Sequence, residues 1–389
     1  ARVAALVRRE LPISEPQLDS LVTKNAERLK FTSTVTDLSA CDVIYVAPDV
    51  PTDDLGWSDL GPVNALLGTV FAVAHKDAVV VLLSQVPPGF TRGWQHPGRI
   101  FYYQVETLIF GRAVERALCP ERYIVGCADP AQPLPPAYQM FLTAHGCPIL
   151  PMRYESAELA KISINMCLVA SVSVANTLAE LCENIGADWS EIVPALKLDK
   201  RIGQHAYLAP GLGIAGGNLE RDLATVLALS EQHGTDGGIV SSWVANSRHR
   251  KDWVWRTLNK FVLAQQPGAR IAILGLAYKE DTHSTKNSPS LSLLSRLRDY
   301  SVVVYDPVVS SLDAGIPFKA ASSAMEAVQG ADVVCIMTPW GEFRKLSLSE
   351  IVKRMRGHWL IDPYRVVDGK AARVVGLRHV TLGVAPEET

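Results

Sequence analysis

Residues 210–222 read Pro210-Gly211-Leu212-Gly213-Ile214-Ala215-Gly216-Gly217-Asn218-Leu219-Glu220-Arg221-Asp222. Four glycines in the seven residues from Gly211 to Gly217 predict a loop, because glycine tolerates positive φ and lets a backbone approach a ligand closely. The loop runs into Arg221-Asp222 and then an apolar helix expected from Leu223 to Leu229. Taken alone, it is either a surface turn or a set of N–H groups at a helix start that could hold an anion. The chain on either side decides its meaning.

Upstream, Asp42–Ala47 (DVIYVA) and Ala78–Leu83 (AVVVLL) are apolar throughout, as strands of a parallel sheet buried on both faces are. A loop at Pro48–Asp54 follows the first, and Ser84-Gln85-Val86-Pro87-Pro88-Gly89 follows the second. Pro62–His75 reads as an amphipathic helix with proline suited to its first turn. Tyr123–Gly126 and Pro148–Met152 continue the strands. Alternation of this kind predicts a doubly wound α/β domain. Residues Glu155 to Gly186 form one long helix ending at a glycine in the C′ position. Helix follows to Leu196, and again from Leu223 to Ala264. A linker at 265–268 leads to a second α/β unit: strands at Arg270–Gly275, Val302–Tyr305, Val333–Met337 and Trp359–Ile361, and a helix at Ser290–Asp299. The expected division is residues 1–152, an α/β domain; 153–264, a helical centre; and 265–389, a second α/β domain.

The 389 residues are 48% hydrophobic and 20% charged, enough to bury two or three cores. A net charge of −2 supplies no general attraction for nucleic acid or an anionic membrane, so an anionic ligand needs local residues. Seven scattered cysteines without CxxC pairs read as reduced thiols of a cytosolic protein, with no disulfide frame and no metal site. Lys161, Asn165 and Asn176 interrupt the long helix, which is therefore not read as transmembrane.

Several polar residues stand out. Glu106 lies among apolar neighbours, where a carboxyl tends toward a raised pKa and can serve as acid or base; a solvent-reaching or Arg112-paired Glu fits equally. Lys161 and Asn165 are at i, i+4 on one helix face. They could polarise a hydroxyl or stabilise an oxyanion, or Glu158 and Lys161 could simply pair on a solvated face. Lys279 ends a strand as Gly275-Leu276-Ala277-Tyr278-Lys279 and could meet a phosphate as a point charge. Ser288-Pro289 reads as an N-cap with proline at N1.

In order, these segments resemble the UDP-glucose/GDP-mannose dehydrogenase family over nearly the whole chain. The resemblance rests on Pro12–Pro16 (PISEP), Ser84–Gly89, and Glu158–Lys161 with Asn165 and Asn176. It continues through Arg201-Ile202-Gly203, Gly211–Asp222, and Gly275–Lys279 with Thr282 and Ser288-Pro289. Tyr305–Pro307, Thr338–Trp340 with Phe343, and Asp362–Val366 complete it. It implies two Rossmann-like domains joined by a helical dimerisation region. It also implies NAD-dependent oxidation of the C6 alcohol of a UDP- or GDP-hexose, in a cytoplasmic homodimer formed through the long helix.

By the same resemblance, Lys161 and Asn165 match the oxyanion-stabilising amine and amide. Glu106 matches the acid/base glutamate and Asp222 the proton-handling aspartate. Arg201, Gly213, Gly216, Gly217, Lys279 and Arg365 fall at substrate positions. Pro48, Ser84, Gln85, Glu106, Arg221 and Lys286 fall at cofactor positions. Departures cluster on the same sites. Asn218 stands where the family has its nucleophilic cysteine, and an amide cannot carry the covalent thiohemiacetal–thioester route. Ala215 replaces a glycine, Arg221 a lysine, Gln85 a threonine, Lys286 an arginine, Ser284 an aspartate and Tyr364 a substrate arginine. No GxGxxG turn follows a first strand, so an upstream strand–turn–helix is expected to precede Ala1. Two outcomes stay open: an altered dehydrogenase, or a silent nucleotide-sugar-binding or dimer-partner homologue. A hydroxyacid dehydrogenase of similar architecture leaves the RIG and Gly-rich segments unexplained.

Overall fold

The computed structural model describes residues 2–13, 15–53, 56–109, 111–310 and 318–386. Ala1, Ser14, Asp54 and Phe110, which belong to segments read above, lie outside the described residues. The chain forms two compact units: residues 1–53 with 57–164, and residues 54–56 with 165–389.

In the first unit, β1 (Val43–Val46), β2 (Val79–Leu82), β3 (Ile100–Gln104), β4 (Tyr123–Cys127) and β5 (Ile149–Arg153) lie side by side in chain order. All four residues of β2 are buried. Alternation of side chains across the strand explains why an unbroken apolar run is needed. Val80 and Leu82 pack on one face with Val63, Leu67 and Phe71 of the helix Gly61–Val73. Val79 and Val81 pack on the other with Tyr138 and Leu142. Each such fully buried side chain contributes about 1.5–3 kcal/mol relative to exposure. The sheet is not wholly parallel: β3 pairs antiparallel with β4, at Tyr103↔Gly126 and Gln104↔Val125. The sequence reading missed β3, whose run Ile-Phe-Tyr-Tyr-Gln is short and ends in polar Gln104. That side chain is buried and accepts from the hydroxyls of Tyr45 (3.1 Å) and Tyr138 (2.8 Å).

In the second unit, β6 (Arg270–Leu274), β7 (Ser301–Tyr305), β8 (Lys319–Ala320), β9 (Val333–Ile336), β10 (Trp359–Ile361) and β11 (Arg378–Val380) form a parallel sheet of order β11-β10-β9-β6-β7-β8. The order reverses between β6 and β9. Open α/β sheets bind ligands beyond the carboxyl ends of their strands at such a point. There Gly275 holds φ 102°, and a Cβ on it would lie 2.5 Å from the Thr338 side chain, so only glycine lets these two strand ends meet.

The helix Tyr154–Ile185 runs 32 residues, and Gly186 follows it with φ 78°. It is long and apolar enough to cross a membrane by length and composition. Its Glu158, Asn165 and Asn176 are nonetheless buried in the fold. The helix expected from Leu223 instead runs Asn218–His233, so Asn218, Arg221 and Asp222 belong to its first turns rather than to the loop. The Glu220 carboxylate provides the reason. It accepts the Gly217 N–H at 3.0 Å and so satisfies a donor at the helix start.

Candidate active site

In the first unit, the parallel register Val46↔Leu82 sets the two expected cofactor loops beside each other. Ser84 Oγ donates to the Pro48 carbonyl oxygen at 2.6 Å, which links two of the cofactor-position residues directly. The loop from Ser84 ends at Gly89, with φ 93°, and continues as the short helix Phe90–Gly93. Glu158 fixes that junction. Its carboxylate accepts the backbone N–H of Gly89 at 2.6 Å and of Thr91 at 2.8 Å, with no surface exposed. Burial pushes the Glu158 carboxyl above its ordinary range, against the lowering influence of the bonds from Thr91 and Gly89. Glu158 therefore does not lie on a solvated face. The apolar surroundings of positions 157 and 162 in the helix hide the glutamate rather than present it.

Glu106 accepts the Leu108 N–H at 2.7 Å and is half-buried. Arg112, considered as its partner, forms a two-pronged pair with Glu115 at 2.6 and 2.9 Å. Lys161 is half-buried and precedes Asn165 by one turn of the same helix.

In the second unit, Asn165 Nδ2 donates to Asp222 Oδ2, joining two residues separated by 57 positions. Asp222 is buried, and its other oxygen faces Arg221 Nε at 3.3 Å. The Gly-rich loop spends its amides internally. Gly211 N–H donates to Asn176 Oδ1 (2.8 Å), Ile214 N–H to Ser247 Oγ (2.8 Å), Gly216 N–H to the Lys286 carbonyl (3.0 Å) and Gly217 N–H to Glu220. These donors are committed to the scaffold rather than to an anion, which removes most of the cradle that the glycine spacing suggested. Glycine is required here for contact. A Cβ on Gly216, at φ 94°, would lie 2.5 Å from the Tyr278 ring, and one on Gly217, also at 94°, 3.0 Å from the Lys286 stem. Glu220 completes the brace by accepting from Asn287 Nδ2 (2.8 Å) and Lys251 Nζ (3.2 Å). The capping spacing Gly217-x-x-Glu220 was the signal for it.

Asn218 is exposed at the first position of its helix. The Lys279 ammonium lies 5.7 Å from the centre of the Tyr278 ring. Two expected substrate residues are engaged by other partners. Arg201 is highly exposed and paired with Asp199 at 2.6 Å. Arg365 bonds Asp188 (3.0 Å) and the Leu382 carbonyl (3.3 Å). A cavity of about 290 Å³ lies against the loop, lined by residues that include Gly211, Gly213 and Ala215, with Leu168 and Val172 of the long helix, Tyr278 and Tyr364.

Three family models match the chain in order: the NAD binding domain over residues 1–133, the central domain over 155–248 and the UDP binding domain over 272–369, all of the UDP-glucose/GDP-mannose dehydrogenase family. A UDP-glucose 6-dehydrogenase of Pseudomonas aeruginosa is 31% identical over 388 residues, covering 93% of this chain and 85% of the relative. The chain belongs to the UDP-glucose/GDP-mannose dehydrogenase family. The UDP-glucose 6-dehydrogenase of Rickettsia typhi is 28% identical over 98% of this chain and 92% of its own. The solved UDP-glucose dehydrogenase of Pyrobaculum islandicum superposes with TM-score 0.83 at 25% identity, covering 98% and 90% of the two chains. NAD is the cofactor of this family member. The Pro48–Ser84 junction fits it: a polar, braced edge at the carboxyl ends of two parallel strands is where open α/β folds receive a dinucleotide. The switch point at β6 and β9 lies inside the match to the UDP binding domain.

Proposed function

We propose that this nucleotide-sugar dehydrogenase homologue oxidises the C6 alcohol of a UDP- or GDP-hexose by one two-electron step, without the covalent route to the carboxylate. The observation that carries this is the pairing of retained and replaced groups in one segment: Asn165 is bonded to buried Asp222, while Asn218 occupies the start of the same helix. NAD supplies the hydride acceptor when bound. Asn165 holds Asp222 in a fixed orientation, and Asp222 handles the alcohol proton through water. Lys161 supplies a cation for the developing alkoxide, and Glu106 an acid/base carboxyl. Lys279 meets the nucleotide phosphates. Gln85 and Lys286 stand at cofactor positions, and the loop at Gly213, Gly216 and Gly217 shapes the substrate side.

A homodimer is part of this reading. Leu159, Cys167, Val174, Leu178, Leu181 and Ile185 form an exposed stripe along the long helix at spacings of three, four, seven and eight. Stripes of this kind mark association surfaces. The long helix is read as a protein core rather than a membrane span, because Asn165 and Asn176 bond Asp222 and the Gly211 amide. A cytoplasmic location fits the reduced thiols.

The test is stoichiometric. With excess NAD⁺ and limiting UDP-hexose, one NADH per sugar with an aldehyde or its hydrate as product is expected. Two NADH with a uronate overturn the proposal. Sugar-nucleotide binding with no NADH supports the silent homologue instead, which the exchanged residues Gln85, Lys286 and Asn218 favour.

A further inference from the structure

Resting on the cofactor position given to Lys286 in the reading above, we propose that Glu220 is a positioning residue for the dehydrogenase reaction. It ties the Gly-rich loop to the turn that carries Lys286, and so sets where that ammonium is presented to the dinucleotide phosphates. Three observations carry this.

The first is convergence. Glu220 lies in the first turn of the helix Asn218–His233, and capping that helix needs only its bond from the Gly217 N–H. The carboxylate takes two further donors. Oε2, which accepts from Gly217 at 3.0 Å, also accepts from Asn287 Nδ2 at 2.8 Å, and Oε1 accepts from Lys251 Nζ at 3.2 Å. One oxygen thus joins the loop to the turn. Bonds to an ionised acceptor are the stronger kind.

The second is the turn. Asn287 holds φ 53°, a left-handed conformation that the surroundings must maintain for a residue bearing a Cβ. Its side chain is held by Glu220, and the carbonyl of the preceding Lys286 accepts the Gly216 N–H at 3.0 Å. Ser288 anchors the far end: it caps the helix Pro289–Arg296 and donates to the Leu276 carbonyl at 2.8 Å.

The third is the course of the Lys286 side chain. A Cβ on Gly217 would lie 3.0 Å from Lys286 Cδ and Cε and 3.4 Å from Nζ. The lysine therefore runs across the bare face of the residue whose N–H Glu220 holds. A long flexible stem is costly to order on binding. Glu220 fixes both the backbone beside Lys286 and the surface under its side chain, so the charge is placed before the cofactor arrives.

The test measures NAD⁺ dissociation constants by titration calorimetry on the full chain and its variants, with kcat and KM from NADH formation. Glu220→Ala should weaken NAD⁺ binding about tenfold, the scale of one hydrogen bond to a charged group, with kcat less affected. Glu220→Gln keeps an oxygen for both Gly217 and Asn287 and should restore most of that affinity. Asn287→Gly keeps the left-handed turn and removes only the amide; it should weaken NAD⁺ as Glu220→Ala does, and it serves if the alanine variant fails to fold. Adding Glu220→Ala to Lys286→Ala should weaken NAD⁺ no further than Lys286→Ala alone. A Glu220 that only caps its helix would lower the unfolding temperature and leave NAD⁺ affinity unchanged, or add its loss to that of Lys286→Ala. Either result refutes the inference, as does a glutamine variant as weak as the alanine one. Unchanged NAD⁺ affinity in Lys286→Ala removes Lys286 from the cofactor, and the inference with it, but leaves the dehydrogenase reading standing.

Discussion

On the one-step reaction proposed above, Asn218→Cys should restore the second oxidation. Asn218 is exposed and sits at the first position of the 16-residue helix Asn218–His233, so the exchange should change stability by no more than about 0.5 kcal/mol. The helix start also activates the new thiol. An ordinary thiol with pKa about 8.5 is about 3% thiolate at pH 7. A helix N-terminus favours an anion by about 0.3–2 kcal/mol, which at 1.36 kcal/mol per unit lowers the pKa by about 0.2–1.5. The thiolate fraction at pH 7 then rises to about 5–50%. The assay counts NADH per limiting nucleotide sugar by absorbance, identifies the product by mass, and follows iodoacetamide labelling against the wild-type background from exposed Cys119 and Cys167. The variant should give two NADH per sugar, a uronate, and one site alkylated several times faster than those two. Two equivalents from the wild type refute the reasoning. So does a variant that binds sugar and NAD⁺, forms a reactive thiolate and still stops at one equivalent.

Glu158→Gln keeps one acceptor for the Gly89 and Thr91 amides and leaves the other amide unpaired, at a cost of about 1–3 kcal/mol; calorimetry should show a lower unfolding temperature and NAD⁺ titration a raised KM with kcat less affected. Gly216→Ala adds positive-φ strain and a contact with the Tyr278 ring, for a combined loss of about 2–5 kcal/mol, measured by urea unfolding. Asp332 is held below the usual carboxylate range by its bond from Arg356, opposed by burial and aided by the Arg270 amide. A lowered folded pKa means stability present above the unfolded value of 3.8 and lost as pH falls through the still lower folded value. Asp332→Asn should therefore lower the unfolding temperature at pH 7 and flatten its fall below pH 4; an unchanged acid limb would count against the pairing.

Much of this fold was written in patterns of one dimension. Val79–Leu82 and Ile271–Leu274 are so uniformly apolar that only a strand covered on both faces suits them, and both are. The long helix declared its length by periodicity and its end by Gly186. What escaped was set by partners distant in sequence. β3 closes on polar Gln104, which is buried because two tyrosine hydroxyls from other elements meet it. Whether Glu158 lay on a solvated face stayed open because its partners, the Gly89 and Thr91 amides, lie 69 and 67 residues away. At the site, Asn165 and Asp222 were legible as types, and their mutual bond was not. Arg365 followed Tyr364 as a neighbour in sequence, but it turns to Asp188 while Tyr364 lines the cavity.

The Gly-rich loop separates scaffold from chemistry more sharply than its sequence suggested. Its amides at Gly211, Ile214, Gly216 and Gly217 are bonded to Asn176, Ser247, Lys286 and Glu220, and none of those bonds involves the Asn218 side chain. The glycines answer to neighbours in the fold: Ser247 lies against Gly213, Tyr278 against Gly216 and Lys286 against Gly217. A residue at position 218 can therefore change from thiol to amide without releasing the loop or the Asp222–Asn165 bond. That independence lets position 218 carry or lack a nucleophile within the same fold. It is also why Asn218→Cys tests the chemistry rather than the architecture: the thiol enters a frame already assembled by other residues.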